Sequence, residues 1–320
     1  MAYDKALTPV VTKILSNFRK EYELHDLGEV SDFLGMQITR SRPERKMILS
    51  QPRFISALLS KAGMADCATV DTPVALGAKF TKQDCPAVNE REVDQVAWYR
   101  SQVASCNYLA CWTRPDISFA VSKLAKFMAN PGQVHVTALK RLLRYLKGTE
   151  SRGLLYTFAQ LPPKKGVYGY YDASHADDVD TRRSTLAYLF FYEGALLSWS
   201  CRLHSFITTS TNHSELVASA KAAREAMWWK TIFTGLRMSS LASPIALFSD
   251  SAGAIAINYN PVHHEANKHV DLAAFFAREQ VQRGFISITH VNTNNMLADA
   301  LTKPLSKAKL EGLIFMFMCR

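Results

Sequence analysis

The 320-residue chain is 48% hydrophobic and 21% charged, a balance that excludes a disordered or fibrous polypeptide and allows a sizeable core, with two domains as the expectation. With 38 Lys and Arg against 28 Asp and Glu, the formal charge of +10 favours polyanionic partners, nucleic acid before an acidic membrane surface. No apolar run reaches the roughly 18 residues of a membrane span and no basic-then-apolar leader follows Met1, so an intracellular protein, cytoplasmic or nuclear, without a membrane partner is expected.

In chain order, residues 33–50 read as two short strands around SRPERK, and residues 52–64 have helical spacing, with Phe54, Leu58 and Leu59 on one side. Residues 98–128 read as helices interrupted at Arg114-Pro115-Asp116, where the proline ends one helix and opens the next. After Asn130-Pro131-Gly132, the segment HVTALKRLLRYLKG places Ala138, Leu139, Leu142, Leu143 and Leu146 on one helical face, with Gly148 as the stop. Lys140, Arg141, Arg144 and Lys147 cover the rest of that helix. They suit a solvated face, but the overall charge favours phosphate contact, and they are taken as nucleic-acid-binding. LPPKK at 161–165 is the expected boundary between a region 1–160 and a region 165–320.

Beyond the boundary, strands are expected at 167–172, 186–192 and 197–200, then a long helix at 212–235. A strand at 244–249, helices at 252–259 and 271–283, a strand at 285–291 and a final helix follow. Three strands followed by alternating helices and strands indicate an α+β or α/β domain, a mixed sheet with flanking helices. The six cysteines, Cys67, Cys85, Cys106, Cys111, Cys201 and Cys319, are scattered without a CxxC pair, which favours reduced structural thiols over a metal site.

Two acids close apolar strand text: Asp172 in VYGYYDASHADD and Asp250 in IALFSDSAGAIAI. Ligands in open α/β sheets bind beyond strand ends, so the two acids could share one cleft. Glu215, in the first turns of the long helix, and Asp299, near the start of a late helix, would complete a set of four carboxylates. Such a set suits two divalent cations, magnesium first as a hard ion and manganese as the alternative. Taken singly, each acid also suits a cap, a turn or a solvated helix position, and spacing alone leaves both readings open. His213 beside Glu215, and His263, His264 and His269 near Asp271, lack a defined metal-ligand spacing, so capping and loop roles are preferred for them. Arg182, Arg183 and Lys268 are read as phosphate contacts and taken as nucleic-acid-binding, with solvated surface charge as the competing reading.

From Tyr22 onward the chain resembles the C-terminal part of copia-type retrotransposon polyproteins, the end of reverse transcriptase followed by ribonuclease H. In the first half the resemblance rests on YELHDLGEVSDFLGMQI, SQPRFISALLSKAGM, YRSQVASCNYLACWTRPDISFAVSKLAKFM and HVTALKRLLRYLKGT. In the second half it rests on YDASHADDVDTRRST, LSWSCR, STNHSELVA, FSDSAGAIAI, NKHVDLAAFFARE and ADALTKPL, in family order. The resemblance implies a truncated reverse-transcriptase palm and thumb-like region, then a ribonuclease H-like domain that hydrolyses the RNA strand of RNA–DNA hybrids with two metal ions. The family's acids fall on Asp172, Glu215, Asp250 and Asp299. Asp172 and Asp250 would hold the metals most directly, Glu215 would bind one and orient water, and Asp299 would complete the second site.

Departures from the family pattern are Ser251 for a usual Asn, Leu186-Ala187 for Ser-Gly, Met296 for Gln and Ser174 for a second Asp. None removes a carboxylate of the four. Family reverse transcriptases carry a YxDD motif upstream of the block that begins at Tyr22, and none occurs here, so no polymerase activity is expected of this chain. The competing expectation is a catalytically inactive remnant that only binds nucleic acid. A third is a structural subunit associated with a complete reverse transcriptase.

Overall fold

The computed structural model describes residues 16–23, 25, 28–157, 165–236, 244–259 and 272–319. An antiparallel sheet of order β1-β2-β3-β4 is built from β1 (Asp32–Phe33), β2 (Met36–Ser41), β3 (Lys46–Ser50) and β4 (Gly153–Thr157). The expected hairpin is β2–β3, closed at SRPERK, where Arg45 takes a φ of 50°. No pattern in the sequence announced β4, which comes from far along the chain to pair Leu155 with Ile48. A Cβ on Gly153 would lie 2.2 Å from the Leu49 carbonyl oxygen, so only glycine lets the two strands close at that point.

Between β3 and β4 run α1 (Pro52–Lys61), α2 (Val93–Trp112), α3 (Ser118–Ala125) and α4 (Gln133–Gly148). The break expected at Arg114-Pro115 is present: Arg114 leaves the helical region with φ −126°, as a residue before proline prefers, and Pro115 opens a short turn into α3. The apolar stripe of α4 is buried, with Leu139, Leu142, Leu143 and Leu146 packed in the same cluster as Ile55, Leu59, Tyr99, Cys106 and Leu109. Cys106 is a free thiol, and burial pushes its pKa up to about 12.

A polar network crosses this apolar region. The fully buried Arg114 guanidinium donates to both carboxylate oxygens of Asp116 (2.9 and 2.7 Å) and to the Thr149 carbonyl (2.9 Å). The Tyr145 hydroxyl donates to Asp116 (2.8 Å), and Arg152 donates to that hydroxyl (2.8 Å) and to Glu311 (2.8 Å). Burial opposes the ionised form of Asp116, but Arg114 beside it outweighs burial and holds the carboxyl below its ordinary value.

The second sheet has the order β7-β6-β5-β8-β9. Strands β5 (Val167–Ser174), β6 (Thr185–Tyr192) and β7 (Ala195–Leu203) form an antiparallel meander, while β8 (Ile245–Ser249) and β9 (Ile286–His290) run parallel to β5. The helices α5 (Thr211–Gly235), α6 (Ala252–Tyr259) and α7 (Leu272–Gln282) flank it, so the fold is the mixed α+β arrangement expected. Ser210 caps α5, its hydroxyl accepting from the His213 amide, and the small residues Ala218, Ala222, Ala223 and Ala226 let the helix lie close on the sheet.

A single apolar cluster runs from α4 and β4 into the second sheet, joining Leu142 and Leu154 to Tyr168, Phe191, Phe248, Leu301 and Phe317. After the last helix, α8 (Lys307–Ile314), the chain returns to β4, where the Leu155 amide donates to the Phe317 carbonyl (2.9 Å) and the Cys319 amide to that of Gly153 (3.0 Å). Arg152–Glu311 ties α8 to the same place. The boundary expected at 161–165 falls almost wholly outside the described residues. Among the described residues no helix is long and apolar enough to cross a membrane.

Candidate active site

Strand β5 is paired in parallel with β8 through Tyr170 and Phe248. Two residues further along each strand stand Asp172 and Asp250, so the register alone sets the two acids side by side at the same end of the sheet. Asp299 arrives from a third direction. It sits in the first turn of a short 3-10 helix, Leu297–Leu301, near the start of a helix as the sequence suggested; its buried neighbours Leu297, Ala298, Ala300 and Leu301 hold that helix in the core. Asp172, Asp250 and Asp299 present ligand oxygens that all lie within 4.8 Å of one another. Asp172 and Asp299 are buried and Asp250 is half-buried, so the group is reached from the Asp250 side.

Glu215 lies just over one turn into α5, on the face toward β5, and one of its oxygens accepts from the Ala173 amide (3.3 Å). Its other oxygen, Oε2, is buried with no hydrogen-bond partner. Burial raises the proton affinity of Glu215 well above the usual carboxylate range, and the charges of Asp172 and Asp250 add to it. Asp172 is raised as well, by burial first, against the opposing pull of Lys303 and of the Thr302 hydroxyl, which donates to it. Asp250 accepts from the Thr293 hydroxyl (2.8 Å). The oxygen-only donor set and the orphaned Glu215 oxygen fit a hard divalent cation.

Two lysines complete the cluster. The Lys303 ammonium stands 2.6 Å from Asp299 and 3.4 Å from Asp172, and Lys309 donates to the other oxygen of Asp299 (2.7 Å). Burial works against the charged form of Lys303, but Asp172 and Asp299 outweigh it and raise its pKa. Three carboxylates thus converge, two of them already partly neutralised, and Glu215 stands near enough to feel the charges of Asp172 and Asp250.

A stability test follows from Glu215. Its folded-state proton affinity is raised, so the stability this group supports is fully present below its unfolded pKa and is lost as pH rises through the folded value. Without divalent metal, Glu215→Gln should therefore melt at a higher temperature than wild type at pH 7, and the difference should shrink as the solution is acidified. Thermal melts in chelator across pH check it, and a variant less stable at pH 7 would contradict the assignment.

The chain is 34% identical over 309 residues, 96% of its length, to the retrovirus-related Pol polyprotein from transposon TNT 1-94 of Nicotiana tabacum. It is 34% identical over 298 residues to that from transposon RE1 of Arabidopsis thaliana, covering 93% of the chain. The chain belongs to the copia-type retrotransposon Pol polyproteins. It spans 23% and 20% of the length of these two relatives. No family model matches it. Solved structures with some likeness include a foamy viral protease–reverse transcriptase in complex with RNA/DNA hybrid, at 12% identity and a TM-score of 0.45, over 82% of this chain and 29% of that one. Another is ribonuclease H1 of Halobacterium salinarum, at 19% identity and a TM-score of 0.31, over 42% and 93% of the two chains.

In this copia-type chain, among the described residues, Lys140, Arg141, Arg144, Lys147, Arg182 and Arg183 form no ion pair with the four acids. Arg141 donates to the Thr72 hydroxyl (2.8 Å) and Arg144 to the Ala68 carbonyl (2.6 Å), so both guanidinium groups bind the chain's own 68–72 segment. Lys147 pairs with Glu150 (3.9 Å), and Lys140 is exposed with no partner found among the described residues. Arg182, at φ 55°, and Arg183 lie in the β5–β6 loop, which Lys123 and Lys126 of the α3 region hold through Asp177 and Asp178. Lys268 lies outside the described residues, as do His263, His264 and His269; His213 is buried near the α5 cap. Thr302, Lys303 and Lys309 were missed. The one signal for them is the spacing of four between Asp299 and Lys303 in ADALTK, which aligns two side chains on a helical turn.

Proposed function

We propose that this chain hydrolyses the RNA strand of an RNA–DNA hybrid, as the ribonuclease H portion of a reverse transcriptase polyprotein. The observation that carries the reading is the convergence of Asp172, Asp250 and Asp299 from three separate elements, beside a buried Glu215 oxygen without a partner. Asp172, Glu215, Asp250 and Asp299 would hold two divalent ions, magnesium in preference and manganese as the alternative. Bound there, such ions activate water and stabilise charge on the phosphodiester oxygens. Of the chain's own groups, Asp172 within β5 and Asp250 just past β8 each lie two residues beyond the parallel pair Tyr170 and Phe248. Glu215 Oε2, with its raised proton affinity, is suited to orient the attacking water and to hold a proton from it. Lys303 would keep Asp172 and Asp299 at hydrogen-bonding distance while the charges of the site are reorganised.

A second reading, a binding remnant without catalysis, is favoured by the same lysines, because Lys303 and Lys309 already neutralise part of the cluster. The purified chain should separate the two. With magnesium it is expected to cut the RNA of a labelled hybrid, to leave single-stranded RNA and duplex DNA intact, and to stop on addition of chelator. Binding of the hybrid by a folded chain that never cleaves it would establish the remnant.

A further inference from the structure

An open groove of about 400 Å³ lies between β6, β7 and α5, on a part of the second sheet that none of the four acids lines. Its floor comes from the strands, where Leu186 is paired with Arg202 and Tyr188 with Ser200. Its wall comes from α5, on which Lys221, Arg224, Glu225 and Trp228 follow at spacings of three, four and seven and so form one stripe. Three cations, Arg202, Lys221 and Arg224, therefore face one space.

Like charges gathered in this way repel, and the groove holds little to relieve them. The carboxylate of Glu225 is engaged by the Tyr188 hydroxyl (3.0 Å) and the Ser198 hydroxyl (2.6 Å). Among the described residues no carboxylate pairs with Arg202, Lys221 or Arg224; Arg224 lies instead 5.7 Å from the Phe276 ring centroid. Lys221 is half-buried, and burial together with Arg202 and Arg224 disfavours its charged form. With Arg202 and Arg224 exposed and Lys221 half-buried, the gathered positive charge makes the groove attractive to an anion. At the end of the stripe Trp228 is 51% exposed, which offers a flat apolar face next to the cations.

We propose that this groove binds the sugar–phosphate backbone of a nucleic-acid strand, with Arg202, Lys221 and Arg224 contacting phosphates and Trp228 stacking on a base or sugar. The inference rests on the hybrid-binding reading above and gives it a location. At about 1.5 Å of rise per residue, Lys221 stands roughly 9 Å and Trp228 roughly 20 Å along the α5 axis from Glu215. A strand engaged at the acids thus has cations within a few nucleotides of the scissile position, where they would set its direction over the site.

The test is the binding of a fluorescein-labelled RNA–DNA hybrid to the full chain in chelator, over a series of salt concentrations. Lys221→Met with Arg224→Gln should weaken binding about tenfold or more at 0.1 M salt and lower the log–log salt slope by about two. Trp228→Ala should weaken binding roughly five- to hundredfold and leave the slope unchanged. Arg224→Gln alone changes an exposed side chain, so it reports even if the paired variant folds poorly, with a slope change of about one. An unchanged slope in a folded Arg224→Gln variant overturns the proposal. So does a wild type that binds inorganic phosphate in the groove yet matches the paired variant in hybrid affinity, which would mark a small-phosphate site. A changed slope in a chain that never cleaves hybrid with magnesium upholds the groove and removes the nuclease; cleavage with an unchanged slope does the reverse.

Discussion

Asp250→Asn is expected to abolish magnesium-dependent cleavage of the hybrid while leaving folding and hybrid binding in place. The substitution keeps the size of the side chain and an acceptor for the Thr293 hydroxyl, but removes the one charge of the cluster that stands half-exposed at its mouth. Loss of a partner outside the ligand set of a metal site commonly costs 10- to 100-fold, so loss of a ligand charge should cost more, at least about 10³ in rate. The same variant should lose the rise in melting temperature that magnesium gives the wild-type chain, because an ion that binds only the folded state stabilises it by mass action. Cleavage by the variant at the wild-type rate would mean that the activity comes from elsewhere.

Asp116→Ala is expected to be the most damaging single change to the fold. It would leave the Arg114 guanidinium, fully buried, facing no carboxylate, and would free the Tyr145 hydroxyl and part of the Arg152 network at once. Breaking a buried ion pair by removing one partner costs about 3–5 kcal/mol. Urea unfolding should show this as a fall in midpoint with little change in slope. The pH dependence gives an independent reading. The folded-state pKa of Asp116 is depressed, so its contribution is present above the unfolded carboxylate value and is lost as pH falls through the folded value. Asp116→Asn, which keeps the shape, should flatten that acid limb. A variant as stable as wild type, with an unaltered acid limb, would show the network to be dispensable.

Much of the architecture was legible in the residues. The helix break at Arg114-Pro115, the stripe of α4, the three-strand meander and the strand that ends next to Asp250 follow from local pattern, because turn chemistry and side-chain period act over a few residues; the strand expected to end on Asp172 runs two residues further, to Ser174. The misses have one character. Strand β4 carries no pattern of its own and exists because β3 and the C-terminal residues pair with it. Asp299 does stand near the start of a helix, as expected, but that helix is a five-residue 3-10 turn buried in the core, a type the local pattern did not reveal. Nothing local reveals that the 68–72 segment folds back to take a hydrogen bond from Arg141 and from Arg144.

The four acids themselves were identifiable one by one: two close apolar runs, and all four lie in motifs that resemble copia-type polyproteins. That they could meet was an expectation from strand ends and family resemblance; how they meet was beyond the sequence. Parallel pairing of β5 with β8 sets Asp172 beside Asp250, and a residue's register is fixed by hydrogen bonds to a strand some eighty positions away. The lysines of the cluster, and the three cations and Trp228 of the groove, depend likewise on packing between distant elements. Local composition determined which elements form and which residues could do chemistry. Only the tertiary structure decided which charges became neighbours, because electrostatic coupling follows distance in space and burial, and neither is a property of separation along the chain.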